Sequence, residues 1–186
     1  MGKPGQNHFS GFFLSLIAAA MWGMLPVALK ELLSGMDAST IVWFRFLSAG
    51  VVLLSWLSFR QEIPKLKAVS ARTRLFLLVA AAGLCSNYYL FSNSLNYVNG
   101  ETSEAVIQLT TLLLIFGGVI FYKESFVGIQ KIGTLLIVIG LLLFFNDRLT
   151  EFTSLENSQT IGVLIVVAAA ITWTAYALLQ KQLLQS

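Results

Sequence analysis

The sequence predicts an all-α fold, a polytopic membrane helix bundle with six transmembrane helices, on three observations. Of 186 residues, 56% are hydrophobic and only 11% charged, with a mean hydropathy of +0.78. A water-soluble domain of this length rarely carries so few charges. Those charges cluster, leaving uncharged windows close to the ~20 residues a spanning helix needs. The basic residues fall between the windows, so the positive-inside rule explains a net charge of +3 better than nucleic-acid binding does. The expected partner is a lipid bilayer, with no nucleic acid.

Span one is expected over Phe9 to Leu29. Met1-Gly2-Lys3 and "LIAAAM" have the look of a signal peptide. The apolar run, however, exceeds the ~7 to 15 residues of such a segment and continues through "MWGMLPVAL", so it is read as a retained helix. Span two, Ala38 to Phe59, is apolar except for Arg45 in "IVWFRFLSAGVVLL". Span three runs from Leu75 to Tyr97. "NYVNGET", with Asn99-Gly100 as its breaker, turns the chain into span four, Thr102 to Tyr122. "YKES" makes a similar turn into span five, Phe126 to Asn146, and span six is Thr160 to Gln180. Connections this short make consecutive helices antiparallel neighbours.

Cys85 is the only cysteine, which excludes an internal disulfide and a cysteine-based metal cluster. It reads as a small buried apolar residue. His8 is the only histidine and lies in the polar N-terminal tail. No metal and no cofactor is expected.

Lysine and arginine placement orients the bundle. With a cytoplasmic N-terminus, that side holds Arg60, Lys65, Lys67, Arg72 and Arg74 of the loop after span two, together with Lys3, Lys123, Lys131 and Lys181. Lys131, just inside span five, reaches the headgroups by snorkelling. The opposite side keeps Lys30 and Arg148. The expected location is therefore a cell membrane (inner or plasma), crossed several times, with the N-terminus inside.

Spans one and six resemble each other. Setting "GFFLSLIAAAMWGMLPVALKELL" over "GVLIVVAAAITWTAYALLQKQLL" without gaps matches Gly11 to Gly162, Ala18 and Ala19 to Ala169 and Ala170, Trp22 to Trp173, and Lys30 to Lys181. A repeat unit of five spans puts its second copy upside down. Inverted repeats mark secondary transporters, with the substrate near the bilayer midplane between the halves. The alternative is coincidence between two alanine-rich helices.

Several stretches taken in order resemble one repeat of the drug/metabolite transporter superfamily, specifically its EamA-type members. They are "AAAMWG", "RFLSAGVVLL", "YYLFSNSLNYVNGETSEAVIQL" and "YKESFVGIQKIGTLLIVIGLLLFF", covering about residues 10 to 146. The resemblance implies a ten-helix transporter made of two such repeats. The expected organisation is a five-helix repeat over 9–146, an extracytoplasmic loop over 147–159, and the first helix of a second repeat over 160–186. Two departures stand out. Thr110-Thr111 occupy the place in span four where the family commonly shows proline, and the chain reaches only one helix into the second repeat. A partial chain is expected, whose missing second half or partner chain completes the pathway; oligomerisation stays open.

Polar side chains within the spans are expensive in lipid and should face the bundle interior or water. From the ~1.5 Å helical rise, Arg45 lies roughly 10 Å below the outer end of span two. Glu104, Gln108 and Thr111 descend from the outer end of span four. Asn93 is in the outer part of span three, Asn87 and Tyr88 near its middle, and Trp22 in the outer half of span one. Pro26 cannot donate a backbone hydrogen bond to the Trp22 carbonyl. The inner halves of spans three and four hold no strongly polar side chain, so a polar outer cavity above a tightly packed inner half is expected. Gly117, Gly118, Gly133 and Gly140 would let helices approach closely.

Each candidate has a second reading. Arg45 either draws a substrate carboxylate inward, or holds helices together through carbonyls such as that of Trp22. An approach of Arg45 to Glu104, the acidic residue nearest in depth, is expected. Trp22 is a pathway residue or a packing residue, and Asn87 and Asn93 line the cavity or join helices. Tyr88 and Tyr97 line it or belong to the aromatic belt. Lys123 and Glu124 read as solvated charges that fix topology.

The leading functional reading is a secondary transporter, expected to be an exporter, of small metabolites; amino-acid-like compounds suit a buried arginine. No nucleotide-binding motif appears, so direct ATP drive is not expected. The second reading is a partial or accessory membrane subunit without transport activity of its own. An enzyme is not expected, since there is no HExxH, no paired intramembrane aspartates and no Ser/His pair at membrane depth.

Overall fold

The computed structural model describes residues 8–63, 70–146 and 158–185. Most of the expected 147–159 loop lies outside the described residues, as do Lys3, Lys65, Lys67 and Arg148. The described chain is all helical: α1 (His8–Leu33), α2 (Ala38–Phe59), α3 (Ala71–Ser94), α4 (Gly100–Ile107), α5 (Leu109–Tyr122), α6 (Gly128–Phe145) and α7 (Ser158–Gln185). Six segments are long and apolar enough to cross a membrane, with α4 and α5 together forming the fourth. The chain is a multi-pass membrane protein.

Local chemistry fixes where the helices begin. The side chains of Asp37, Ser70 and Asn99 accept from the backbone N–H groups of Thr40, Thr73 and Thr102 at 3.1, 3.1 and 2.8 Å. Each thereby satisfies one of the donors a helix leaves unpaired at its first turn. At the start of α6, the Gln130 side chain instead accepts from the Val127 N–H at 3.1 Å. α5 ends at Lys123, whose backbone is left-handed (φ 53°), and the Lys123 and Glu124 N–H groups both donate to the Gly118 carbonyl. A residue in this conformation is a common helix terminator.

Packing centres on α7, which lies along α3 and also meets α4 and α5. Its inward face is Val166, Ala169, Ala170 and Thr174, all buried. Small side chains there let the two long helices come close. α6 contributes no buried residue, and large apolar side chains such as Phe9, Val52 and Ile129 are exposed around the molecule. A surface this apolar suits contact with lipid.

Two apolar clusters form, and both sit at the end of the bundle that carries Asn99. One joins Leu29, Ile41 and Leu95. The other joins Val98, Val106 and Val166. Ser92, Ser94, Thr102 and Ser103 are buried beside them. Apolar packing and polar clefts therefore share the Asn99 end, where the sequence predicts a polar cavity alone. The short turns at 34–37 and 95–99 draw helix ends together at the Asn99 end. At the opposite end, which carries Lys181, clefts open on both sides of the α5–α7 contact. Cys85, expected to be buried, is exposed on the outside of α3.

Candidate functional site

Arg45 is half-buried, and its guanidinium carbon lies 4.6 Å from the centre of the Tyr88 ring on α3. Phe46 meets the same ring edge-on at 5.3 Å between centroids. The charge therefore faces a neighbouring helix and the electron-rich face of an aromatic ring, an arrangement that offsets part of its removal from water. The expected approach to Glu104 is absent. Among the described residues the ion pairs are Arg60–Glu62 and Glu124–Lys181, so the guanidinium has no carboxylate partner there.

The other candidates fall into separate groups. Asn87, the residue before Tyr88 on α3, is buried and donates to the Ala169 carbonyl of α7 at 2.8 Å. Asn93 lines a cleft of about 450 Å³ with Asp37, Ser39, Tyr89 and Asn96, and accepts from the Asn96 amide at 3.3 Å. Glu104 lines a second cleft, about 550 Å³, with Pro26, Lys30, Asn99 and Glu101. Both clefts open at the Asn99 end, and neither lining includes Arg45. Trp22 is 58% exposed on α1, whereas Trp173, its counterpart in the repeat alignment, is half-buried on α7.

Gln108 sits at a break in the fourth span. Its N–H donates to Ala105 at 3.3 Å and its carbonyl accepts from Thr111 at 3.0 Å. The Thr110 hydroxyl takes the Ile107 carbonyl at 2.7 Å. These tight i to i+3 bonds replace the ordinary helical ladder, so α4 and α5 are separate helices without any proline between them. Gln108 itself is exposed and Thr111 half-buried. The sequence signal was the same pair of threonines that departs from the family pattern.

Among the glycines, a methyl added to Gly117 would stand 2.7 Å from Leu178 Cδ1, so here α5 approaches α7 closely. Gly118 packs against the Glu124 carboxylate. Gly133 and Gly140 face open space, and no close approach among the described helices uses them. Gly162, which the sequence marked only as the repeat match of Gly11, is pressed against Tyr97 and Val98.

Sequence reasoning also missed the partner of Glu124. Its carboxylate pairs with Lys181 of α7, whose ammonium lies 4.7 Å from the Tyr122 ring centre. The Tyr122 hydroxyl donates to the Leu178 carbonyl. The match of Lys30 to Lys181 was the available signal, but nothing in the sequence placed Glu124 beside α7.

Charge is unevenly distributed. Glu31, Asp37, Glu101 and Glu104 gather at the Asn99 end with Lys30. Asp37, in the turn before α2, has its carboxyl held below the usual range by hydrogen bonds from the Thr40 side chain and backbone. No group of three or more histidine, cysteine or acidic side chains could hold a metal among the described residues.

The EamA-like transporter family matches residues 9–146. An uncharacterized transporter of Haemophilus influenzae is 42% identical over 97% of this chain and 58% of its own length. The uncharacterized inner membrane transporter YhbE of Escherichia coli is 37% identical over 97% of this chain and 56% of its own length. A riboflavin transporter, ImpX, of Fusobacterium nucleatum is 28% identical over 97% of this chain and 62% of its own length. The chain thus spans less than two thirds of the curated relatives it matches. No solved structure matches it.

Proposed function

The chain belongs to the EamA-like transporter family, and from that premise we propose that it supplies one repeat and the opening helix of the next in a ten-helix secondary transporter. Its substrates are small metabolites that carry a carboxylate, amino-acid-like compounds foremost. The carrying observation is Arg45: a half-buried guanidinium in a spanning helix, seated on Tyr88, with no carboxylate partner among the described residues. Such a charge is costly at this depth and is repaid by an anion that arrives and leaves.

Support for the inverted repeat comes from comparing α7 with α1. Val166, Ala169, Ala170 and Thr174 are buried against the first repeat, whereas their counterparts Ser15, Ala18, Ala19 and Gly23 are all exposed. An upside-down second copy would cover that face of α1 as the first copy covers α7. Arg60, Arg72, Arg74, Lys123, Lys131 and Lys181 share one end of the bundle, which favours a cytoplasmic N-terminus. Export is the direction we assign. Segment 1–186 alone holds one side of such a pathway, so we expect it to be inert without the second half or a partner chain.

The test is uptake and efflux by the full-length protein in vesicles, against a panel of amino acids, other small carboxylates and riboflavin. Arg45→Ala should abolish carboxylate transport, and Arg45→Lys should weaken it roughly tenfold by losing the bidentate fork. Transport confined to uncharged compounds, or unaffected by Arg45→Ala, would overturn the substrate class.

A further inference from the structure

The two ends of α7 are held by different chemistry. At the Asn99 end, Val166 packs into an apolar cluster and Gly162 lies hard against Tyr97 and Val98. At the Lys181 end polar contacts add to the Gly117–Leu178 approach: the Lys181–Glu124 ion pair, the Lys181 ammonium over the Tyr122 ring, and the Tyr122 hydroxyl on the Leu178 carbonyl. Clefts of about 640 and 720 Å³ flank this contact, the first lined by Glu124 and Lys181, the second by Thr174 and Leu178. Both charges are part-exposed, 35% for Lys181 and 52% for Glu124, so the pair is weak enough to break and reform.

Glu124 is held ready for this partner. The left-handed turn at Lys123 and the two donations to the Gly118 carbonyl fold residue 124 back over α5, and the bare Gly118 leaves room for the carboxylate. Lys30, in the same register of α1, makes no ion pair among the described residues and lines a cleft at the opposite end.

We infer that Glu124 and Lys181 form a latch between the turn that precedes the last span of the first repeat and the first helix of the second, closing the Lys181 end of the α5–α7 seam in one transport state and releasing it in the other. This rests on the transport reading above. Rocking of one repeat against the other must part contacts that cross the boundary between them, and this one crosses it with reversible polar groups. The Val98–Val106–Val166 cluster at the far end of α7 acts as the pivot.

The experiment uses the full-length protein, cysteine-free apart from Thr174→Cys, in sealed vesicles. Thr174 is buried in the seam, two turns from Lys181. A membrane-impermeant maleimide is added from the side that carries Lys181. Labelling should be slow in the parent and faster with Glu124→Gln or Lys181→Met, by up to about fivefold, the upper end for losing an ion pair of this exposure. The double variant Glu124→Lys with Lys181→Glu should return to within about twofold of the parent. That return separates an opened latch from a misfolded protein. Equal labelling of parent and single variants, or a double variant as fast as the singles, would overturn the latch. Labelling needs no substrate, so failure here leaves the transport reading standing. A normal labelling response without transport of any panel compound would count against transport alone.

Discussion

The Asn87 side chain of α3 donates a hydrogen bond of 2.8 Å to the main-chain carbonyl of Ala169 in α7, across 82 positions of sequence. The Thr172 hydroxyl converges on the same oxygen at 2.9 Å. One carbonyl in the most buried of the six spans thus ties two long helices together.

Replacing Asn87 with alanine removes the interhelical donor but leaves Ala169 its local partner. The expected cost is about 0.6 kcal/mol and at most ~1.7, the range for such bonds in membranes. Unfolding of the purified protein in mixed detergent micelles measures it. Thr172→Val, which deletes a bond within one helix, should cost less.

Gly162→Ala should be far worse tolerated than Gly117→Ala. The added methyl would stand 2.6 Å from Val98 Cγ1 and 2.8 Å from Tyr97 Cβ, with the Tyr97 carbonyl carbon behind them. At Gly117 the obstacle is the tip of the Leu178 side chain, which can turn away. Overpacking of this kind costs about 1–3 kcal/mol where neighbours cannot move. The same detergent titration, run on both variants, ranks them.

The Arg45–Tyr88 contact depends on the ring and not on its hydroxyl. Tyr88→Phe should leave stability unchanged, whereas Tyr88→Leu should lose about 0.5–2 kcal/mol. A double-mutant cycle with Arg45→Met isolates the pair. Equal losses for Tyr88→Phe and Tyr88→Leu would rule out the cation–π contact as the source.

The cap at Asp37 carries a pH dependence. The folded chain hydrogen-bonds the ionised carboxyl, which therefore titrates below the ordinary aspartate value. Its contribution is complete above that ordinary value and is lost as the pH falls through the lowered one. Asp37→Ala should speed hydrogen exchange at the Thr40 amide at neutral pH. The gap between variant and parent should close once the medium is acid enough to protonate the carboxyl.

The spans were legible because hydrophobic length is a one-dimensional property. Ala38 and Phe59 bound the second helix as expected, and the Asn99 turn starts the fourth. What escaped were facts that depend on the partner of each face. Cys85 looks the same in sequence whether it faces lipid or a neighbouring helix. Glu124 read as a solvated charge because Lys181, 57 positions later, is brought beside it only by the packing of α5 on α7. The break at Gln108 is made by hydroxyl and backbone bonds, which imitate the effect of a proline without its signature. The polar candidates do not converge on one cavity: Asn93 and Glu104 line separate clefts, Asn87 joins α3 to α7, and Arg45 meets Tyr88. Spacing along a helix does not specify which neighbour each face meets.

The pairing of Asn87 with Ala169 also bears on how the protein is made. At a synthesis rate of about 5–20 residues per second, roughly 4–16 seconds separate the emergence of the two residues from the ribosome. Throughout that interval α3 stands in the insertion machinery with a bare amide and without its principal companion. A helper that shelters a polar patch on a nascent hairpin would be most needed then, and its removal should lower the yield of this protein more than that of neighbours whose helices pair as they arrive.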